Sequence, residues 1–165
     1  MKNRLRKSFV AAKECKHGGK VQEARLRLGA EPLDFSANIN PLGSPPLKDL
    51  LIRELKQIGH YPDSSYRGFC RAAARFVSVD PECIVPGNGS SELIRLFAEA
   101  VLEDGDLAII PTPTFGEYEN QSHLAGGRTE RLAIGGDGLP LIRDSDLARA
   151  KALFLCNPNN PTGRL

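Results

Sequence analysis

The chain has 165 residues, 41% of them hydrophobic and 25% charged, with a formal net charge of +2. Such a length can bury a core, and these fractions are those of a globular chain, not a disordered one. The near-balanced charge removes the electrostatic argument for a nucleic-acid partner or an acidic membrane surface, and no stretch reaches the roughly 18 apolar residues of a membrane span.

Residues 1–16 are rich in lysine and arginine and read as a helical or frayed arm, with no apolar run after the basic start to make a secretion signal. His17-Gly18-Gly19 follows, then a short helix near 20–28. Residues 33–43 read as extended chain closed by Pro41 and Gly43. Leu47, Leu50, Leu51, Leu55 and Ile58 have helical spacing, which predicts a helix over 47–58. Tyr61-Pro62-Asp63 breaks it, and another helix is expected at 66–77. Beyond that point the order alternates: strand 83–86, turn 87–91, helix 92–102, strand 106–110, helix 115–124, strand 129–134, helix 144–150, strand 151–156. Strands alternating with helices predict an α/β architecture with a mainly parallel sheet. The expected organisation is an arm and substrate-contacting segment over 1–46, a helical segment over 47–82, and the first part of an α/β domain over 83–165. The four cysteines, Cys15, Cys70, Cys83 and Cys156, show no C-x-x-C pairing. That pattern argues against a metal site and suits reduced thiols in a cytoplasmic protein.

Three loops carry the chemistry. Gly87-Asn88-Gly89-Ser90-Ser91-Glu92 lies between a predicted strand and a helix. Its backbone amides and hydroxyls can hold an anion; the plainer alternative is a turn in which Ser90 or Ser91 caps the helix. It has neither the G-K-[ST] of a Walker loop nor the G-x-G-x-x-G of a dinucleotide fold. Pro111-Thr112-Pro113-Thr114-Phe115-Gly116-Glu117-Tyr118 follows the next strand, and Phe115 is either a flat stacking surface or a core side chain. Asn157-Pro158-Asn159-Asn160-Pro161-Thr162-Gly163 follows the last strand, where two prolines and a glycine impose a defined path and side-chain amides offer donors. Strand ends on one side of a parallel sheet let the three loops converge on a ligand with a phosphate, a flat ring and a hydrogen-bonding ring substituent. Pyridoxal phosphate has all three.

On these residues the sequence resembles the aspartate-aminotransferase fold type of pyridoxal-phosphate enzymes. The matching segments are His17-Gly-Gly, residues 34–43, Tyr61-Pro-Asp, Gly87-Asn-Gly, residues 113–118 and residues 157–163, in that order along nearly the whole chain. His17-Gly-Gly together with 34–43 is similar, more narrowly, to the branch holding threonine-phosphate decarboxylases, beside the histidinol-phosphate aminotransferases. The resemblance implies that the amides of Gly89 and Ser90, with Ser91, hold the cofactor phosphate. It implies that Phe115 stacks on the pyridine ring and that Asn160 meets its phenolic oxygen. Tyr61 resembles the tyrosine that reaches the neighbouring subunit's cofactor phosphate, which implies a homodimer. His17 and Asn38 resemble residues that meet a phosphorylated amino-acid substrate, although a solvated histidine and a turn-forming asparagine are the plainer readings. The implied activity is decarboxylation of threonine phosphate to aminopropanol phosphate for cobalamin biosynthesis. The alternatives are histidinol-phosphate aminotransferase and a non-catalytic cofactor-binding module. The family's Schiff-base lysine, its pyridine-pairing aspartate and its carboxylate-binding arginine have no counterpart up to Leu165. The expectation is therefore an incomplete transferase fold, the amino-terminal part of the enzyme, inactive alone.

Overall fold

The computed structural model describes residues 5–11 and 18–165. The helices, in chain order, are α1 Lys7–Ala11, α2 Val21–Leu28, α3 Lys48–Glu54, α4 Arg67–Val77, α5 Ser90–Val101, α6 Glu117–Ala125 and α7 Asp144–Arg149. The strands are β1 Leu107–Thr112, β2 Arg128–Ala133 and β3 Ala152–Leu153. Two compact units result: Met1–Lys16 with Gly87–Leu165, and His17–Pro86. Among the described residues no helix is long and apolar enough to cross a membrane.

The first unit is built on a parallel sheet of order β2-β1-β3, as the alternation of elements predicts. The sequence of β1, Leu-Ala-Ile-Ile-Pro-Thr, explains its central place: residues 108–111 are buried in succession, the pattern of a strand covered on both faces. β2, Arg-Thr-Glu-Arg-Leu-Ala, carries charged side chains suited to an edge.

Register and charge pairing show which helix covers which face. Ala108 pairs with Thr129 and Ile110 with Arg131, so these four share one face, while Ile109 and Glu130 share the other. Glu119 of α6 binds Arg131 at 2.6 Å, which puts α6 on the Ala108–Ile110 face. Arg149 of α7 pairs with Glu130, which puts α7 on the opposite face. This is the arrangement that right-handed crossovers require when the chain steps first from β1 to β2 and then back past β1 to β3. Ala98 of α5 and Leu102, the residue that follows the helix, join Ala108, Ile110, Ala152 and Phe154 in the main apolar cluster.

Two expectations are corrected. Residues 83–86 form no strand: Pro81–Cys83 is a turn of 3-10 helix, opened by the Asp80 carboxylate accepting the Glu82 N–H at 2.9 Å. Ile84 is extended (φ −104°, ψ 120°), but no strand among the described residues pairs with it. An apolar run signals burial; a ladder needs a second backbone beside it. The last strand is also shorter than 151–156, although the Lys151 and Phe154 amides still donate to Leu107 (2.8 Å) and Ile109 (3.0 Å).

In the second unit, the helix expected over 47–58 divides into α3 and a 3-10 turn at Leu55–Gln57. Helix α4 buries Ala74 and packs on the 3-10 turn at Pro81–Cys83. Tight local turns close the extended segments: the Asp34 carboxylate accepts from the Ser36 amide (2.8 Å) and hydroxyl (2.6 Å), and Asp63 does the same for Ser65. These donors hold both carboxyls below the usual carboxylate range, the serine hydroxyl contributing most.

Candidate functional site

The start of α5 is shaped by two glycines with different duties. A Cβ on Gly87 would stand 2.7 Å from Leu93 Cδ2, so a side chain there would require the Leu93 side chain to shift. Gly89 has φ 84° and ψ 170°, a backbone region open to glycine alone. Gly89 is the N-cap, and no side chain caps the helix. The plainer alternative, in which Ser90 or Ser91 caps the helix, is therefore not realised. Both serines are already inside the first turn, exposed, and their hydroxyls make no hydrogen bond among the described residues. Glu92 folds back to accept from the Asn88 amide at 2.6 Å and its Nδ2 at 3.2 Å. The carboxylate thus caps the residue ahead of the turn, and the first amides of α5 keep the unpaired state inherent to a helix start. Unpaired amides, two unengaged hydroxyls and a helix dipole make a donor set suited to a phosphate.

The loop after β1 carries Phe115, which is half-buried. A chain of rings sets its position. Phe97 of α5 meets Phe154 edge-on at 5.5 Å, Tyr118 stacks on Phe154 at 5.0 Å and 23°, and Phe115 meets Tyr118 edge-on at 5.8 Å and 88°. Phe115 lies outside the main apolar cluster, whereas Tyr118 packs against it. Phe115 thus stands half-buried at the end of this chain of rings. Beside it, Thr112, Pro113, Thr114, Gly116 and Arg131 line a depression of about 420 Å³. The Arg131 guanidinium holds the Glu119 carboxyl below its ordinary range.

Burial, and then a hydrogen bond with Cys156, pushes the Tyr118 hydroxyl from 10.0 up to about 12. A raised phenol favours folding while neutral, so its contribution is whole below pH 10.0 and is lost as pH rises through about 12. An ultraviolet phenolate titration is expected to show one tyrosine ionising near 12, and Tyr118→Phe is expected to remove that step. Survival of the step in Tyr118→Phe would refute the assignment.

The loop after β3 is fixed by Asn159. Its Oδ1 accepts from Thr114 Oγ1 at 2.9 Å, and its Nδ2 donates to the Pro113 carbonyl at 3.0 Å and to Thr162 Oγ1 at 2.9 Å. The Asn159 backbone amide donates to the Arg164 carbonyl at 2.7 Å, and the Gly163 amide donates to the Asn159 carbonyl at 2.6 Å. Peptide bonds before Pro113, Pro158 and Pro161 are cis. Asn160 is half-buried; its backbone amide donates to Cys156 Sγ at 3.4 Å, and its side chain makes no hydrogen bond among the described residues.

The loops holding Phe115 and Asn160 are thus brought together at the carboxyl ends of adjacent parallel strands. The loop holding Gly89, Ser90 and Ser91 does not follow a strand of the sheet, so two of the three expected strand ends are realised. It is joined to the other loops through α5, whose Phe97 and Ala98 reach Phe154 and the cluster around it. Asn38 and Tyr61 lie in the other unit, both exposed, Tyr61 completely so. His17 lies outside the described residues. Sequence reasoning missed Asn159 and Thr114. Their contact spans 45 residues, and the only hint was the abundance of amides in the heptad.

The model for the family described as aminotransferase class I and II matches residues 30–165. A curated relative, the threonine-phosphate decarboxylase of Salmonella typhimurium, is 41% identical over 157 residues, covering 90% of this chain and 43% of that protein. The histidinol-phosphate aminotransferase of Ruminiclostridium cellulolyticum is 34% identical over 146 residues, covering 81% of this chain and 40% of that protein. In fold, the chain is similar to the solved histidinol-phosphate aminotransferase of Sinorhizobium meliloti in complex with pyridoxal 5'-phosphate. The TM-score is 0.78 at 21% identity, covering 97% of this chain and 44% of that one. The chain therefore spans less than half the length of these relatives. With the family's pattern matched over most of its residues, and a sheet and loops of the same architecture, this chain belongs to the class I and II aminotransferase family.

Proposed function

We propose that this chain supplies the phosphate cup, the ring platform and the phenolic-oxygen contact of a pyridoxal-phosphate enzyme acting on a phosphorylated amino acid, with threonine phosphate as substrate and loss of its carboxylate as the reaction. The observation that carries the reading is the pinning of the Phe115 and Asn160 loops to each other in the same unit as the uncapped, serine-bearing start of α5. The residues present fit the cofactor: amides of Gly89 and Ser90 with the Ser91 hydroxyl for the phosphate, Phe115 for the ring face, and the free Asn160 amide for the phenolic oxygen. When bound, the cofactor supplies an electron sink for the pair released at the substrate's α-carbon.

Tyr61 is assigned to the cofactor phosphate of a neighbouring subunit, which makes the working enzyme a homodimer. His17 is assigned to the substrate phosphate and Asn38 to the substrate itself. The lysine that carries the cofactor is assigned to the part of the relatives that this chain does not span, so the 165 residues alone are expected to be inactive. The 41% identity to the decarboxylase, against 34% to the aminotransferase, supports the first substrate. The aminotransferase likeness supports histidinol-phosphate transamination as the second reading.

The test uses protein made from the complete gene. Carbon dioxide released from threonine phosphate in step with aminopropanol phosphate is the expected result. Formation of 2-oxoglutarate from glutamate, without carbon dioxide, would replace the decarboxylase by the aminotransferase. Cofactor binding without either reaction would leave a binding module.

A further inference from the structure

Asn159 belongs to no assigned role, yet its side chain makes three hydrogen bonds in the site. Both amide protons are used, one on the Pro113 carbonyl and one on Thr162 Oγ1, and its oxygen accepts from Thr114. The Pro113 carbonyl can only accept, which fixes the orientation of the amide. Such a side chain has no donor left for a ligand; it is a clamp.

Its position gives the clamp a purpose. Thr114 immediately precedes Phe115, and Asn159 immediately precedes Asn160. The Thr114–Asn159 hydrogen bond therefore joins the two residues one peptide away from the ring platform and from the phenolic-oxygen contact. Adjacent Cα atoms across a trans peptide are fixed at about 3.8 Å, so pinning one residue pins the backbone of the next. We propose that Asn159 is a positioning residue that holds the Phe115 ring and the Asn160 amide in a fixed relation, so that one covers the face of a bound pyridine ring while the other reaches its phenolic oxygen at the edge. The proposal rests on the pyridoxal-phosphate reading above.

The test is cofactor titration, by absorbance, of protein made from the complete gene. Asn159→Ala, Thr114→Val and their combination are compared with wild type, using inorganic phosphate as a competing probe. Asn159→Ala is expected to weaken cofactor binding about tenfold or more, since three hydrogen bonds go. Thr114→Val removes one of them and is expected to weaken binding about threefold. The double variant is expected to match Asn159→Ala, because both changes break the same bond. The absorbance maximum of bound cofactor is expected to move in Asn159→Ala, and inorganic phosphate affinity is expected to stay within about twofold, since the start of α5 is untouched.

Several results would overturn the clamp. One is cofactor affinity and absorbance unchanged in Thr114→Val and Asn159→Ala, with only the melting temperature lowered, which marks a merely structural role. Another is an equal fall in phosphate affinity, which would place the effect at the cup and not at the ring. If Asn159→Ala does not fold, Thr114→Val decides alone. Wild-type protein that binds no pyridoxal phosphate would sink the cofactor reading itself, and the clamp with it.

Discussion

Ile110→Ala is expected to destabilise the sheet-bearing unit by about 3 kcal/mol, the middle of the range for a fully buried isoleucine cut to alanine. Ile110 is 2% exposed, sits in the central strand, and packs among Ala98, Leu102, Ala108, Ala152 and Phe154. Three of these neighbours are alanines, so the surroundings have little side-chain length with which to collapse into the void. The cost therefore combines lost transfer energy with a cavity that persists. Urea unfolding is expected to show the midpoint falling by more than about 1 M. Leu139→Ala, at a residue 57% exposed, is the control and is expected to change stability by about 0.5 kcal/mol or less. Equal shifts for the two variants would mean that β1 is not the centre of the folding unit.

The second large effect is expected at Gly89. No atom lies within 4 Å of a Cβ built there, yet its φ of 84° is one that side chains rarely adopt. Gly89→Val is thus a test of backbone conformation free of steric contact. Strain in this region costs about 1–3 kcal/mol, and a β-branched side chain belongs at the upper end. If the turn relaxes instead, the first amides of α5 swing away from the direction they now share, and affinity for inorganic phosphate or pyridoxal phosphate is expected to fall at least about tenfold. Either outcome distinguishes Gly89 from Gly136, which also has open space around its Cβ but no positive φ. Gly136→Ala is expected to leave both stability and binding unchanged. A Gly89→Val protein with normal melting and normal phosphate affinity would refute the cup.

The two variants probe different layers of the same unit, and the layers differ in how far they could be read in advance. β1, α5, α6, β2 and α7 were legible within a few residues, because each is announced by apolar spacing or by a bounding glycine or proline. The helix at 92–102 begins two residues earlier in the structure, at Ser90, since a glycine N-cap lets the serines join the first turn. The run at 83–86 misled, because apolar residues alone do not say whether a second strand lies alongside. In the site, the loops that carry Phe115 and Asn160 were legible from their prolines, glycines and amides. What holds them was not: Tyr118 under Phe115, and Asn159 between the loops.

The sequence by itself determined the α/β alternation, the parallel sheet, the glycines at the start of α5 and the family, since all are local patterns or ordered motifs. Only the tertiary structure decided that α6 and α7 take opposite faces, that β1 is central, and that Asn159 links the loops after β1 and β3. The physical reason is range. Capping and periodicity are settled within one or two turns of chain, whereas the Thr114–Asn159 bond and the Glu119–Arg131 and Glu130–Arg149 pairs join residues 45, 12 and 19 positions apart. Such contacts exist only once the sheet has set their register.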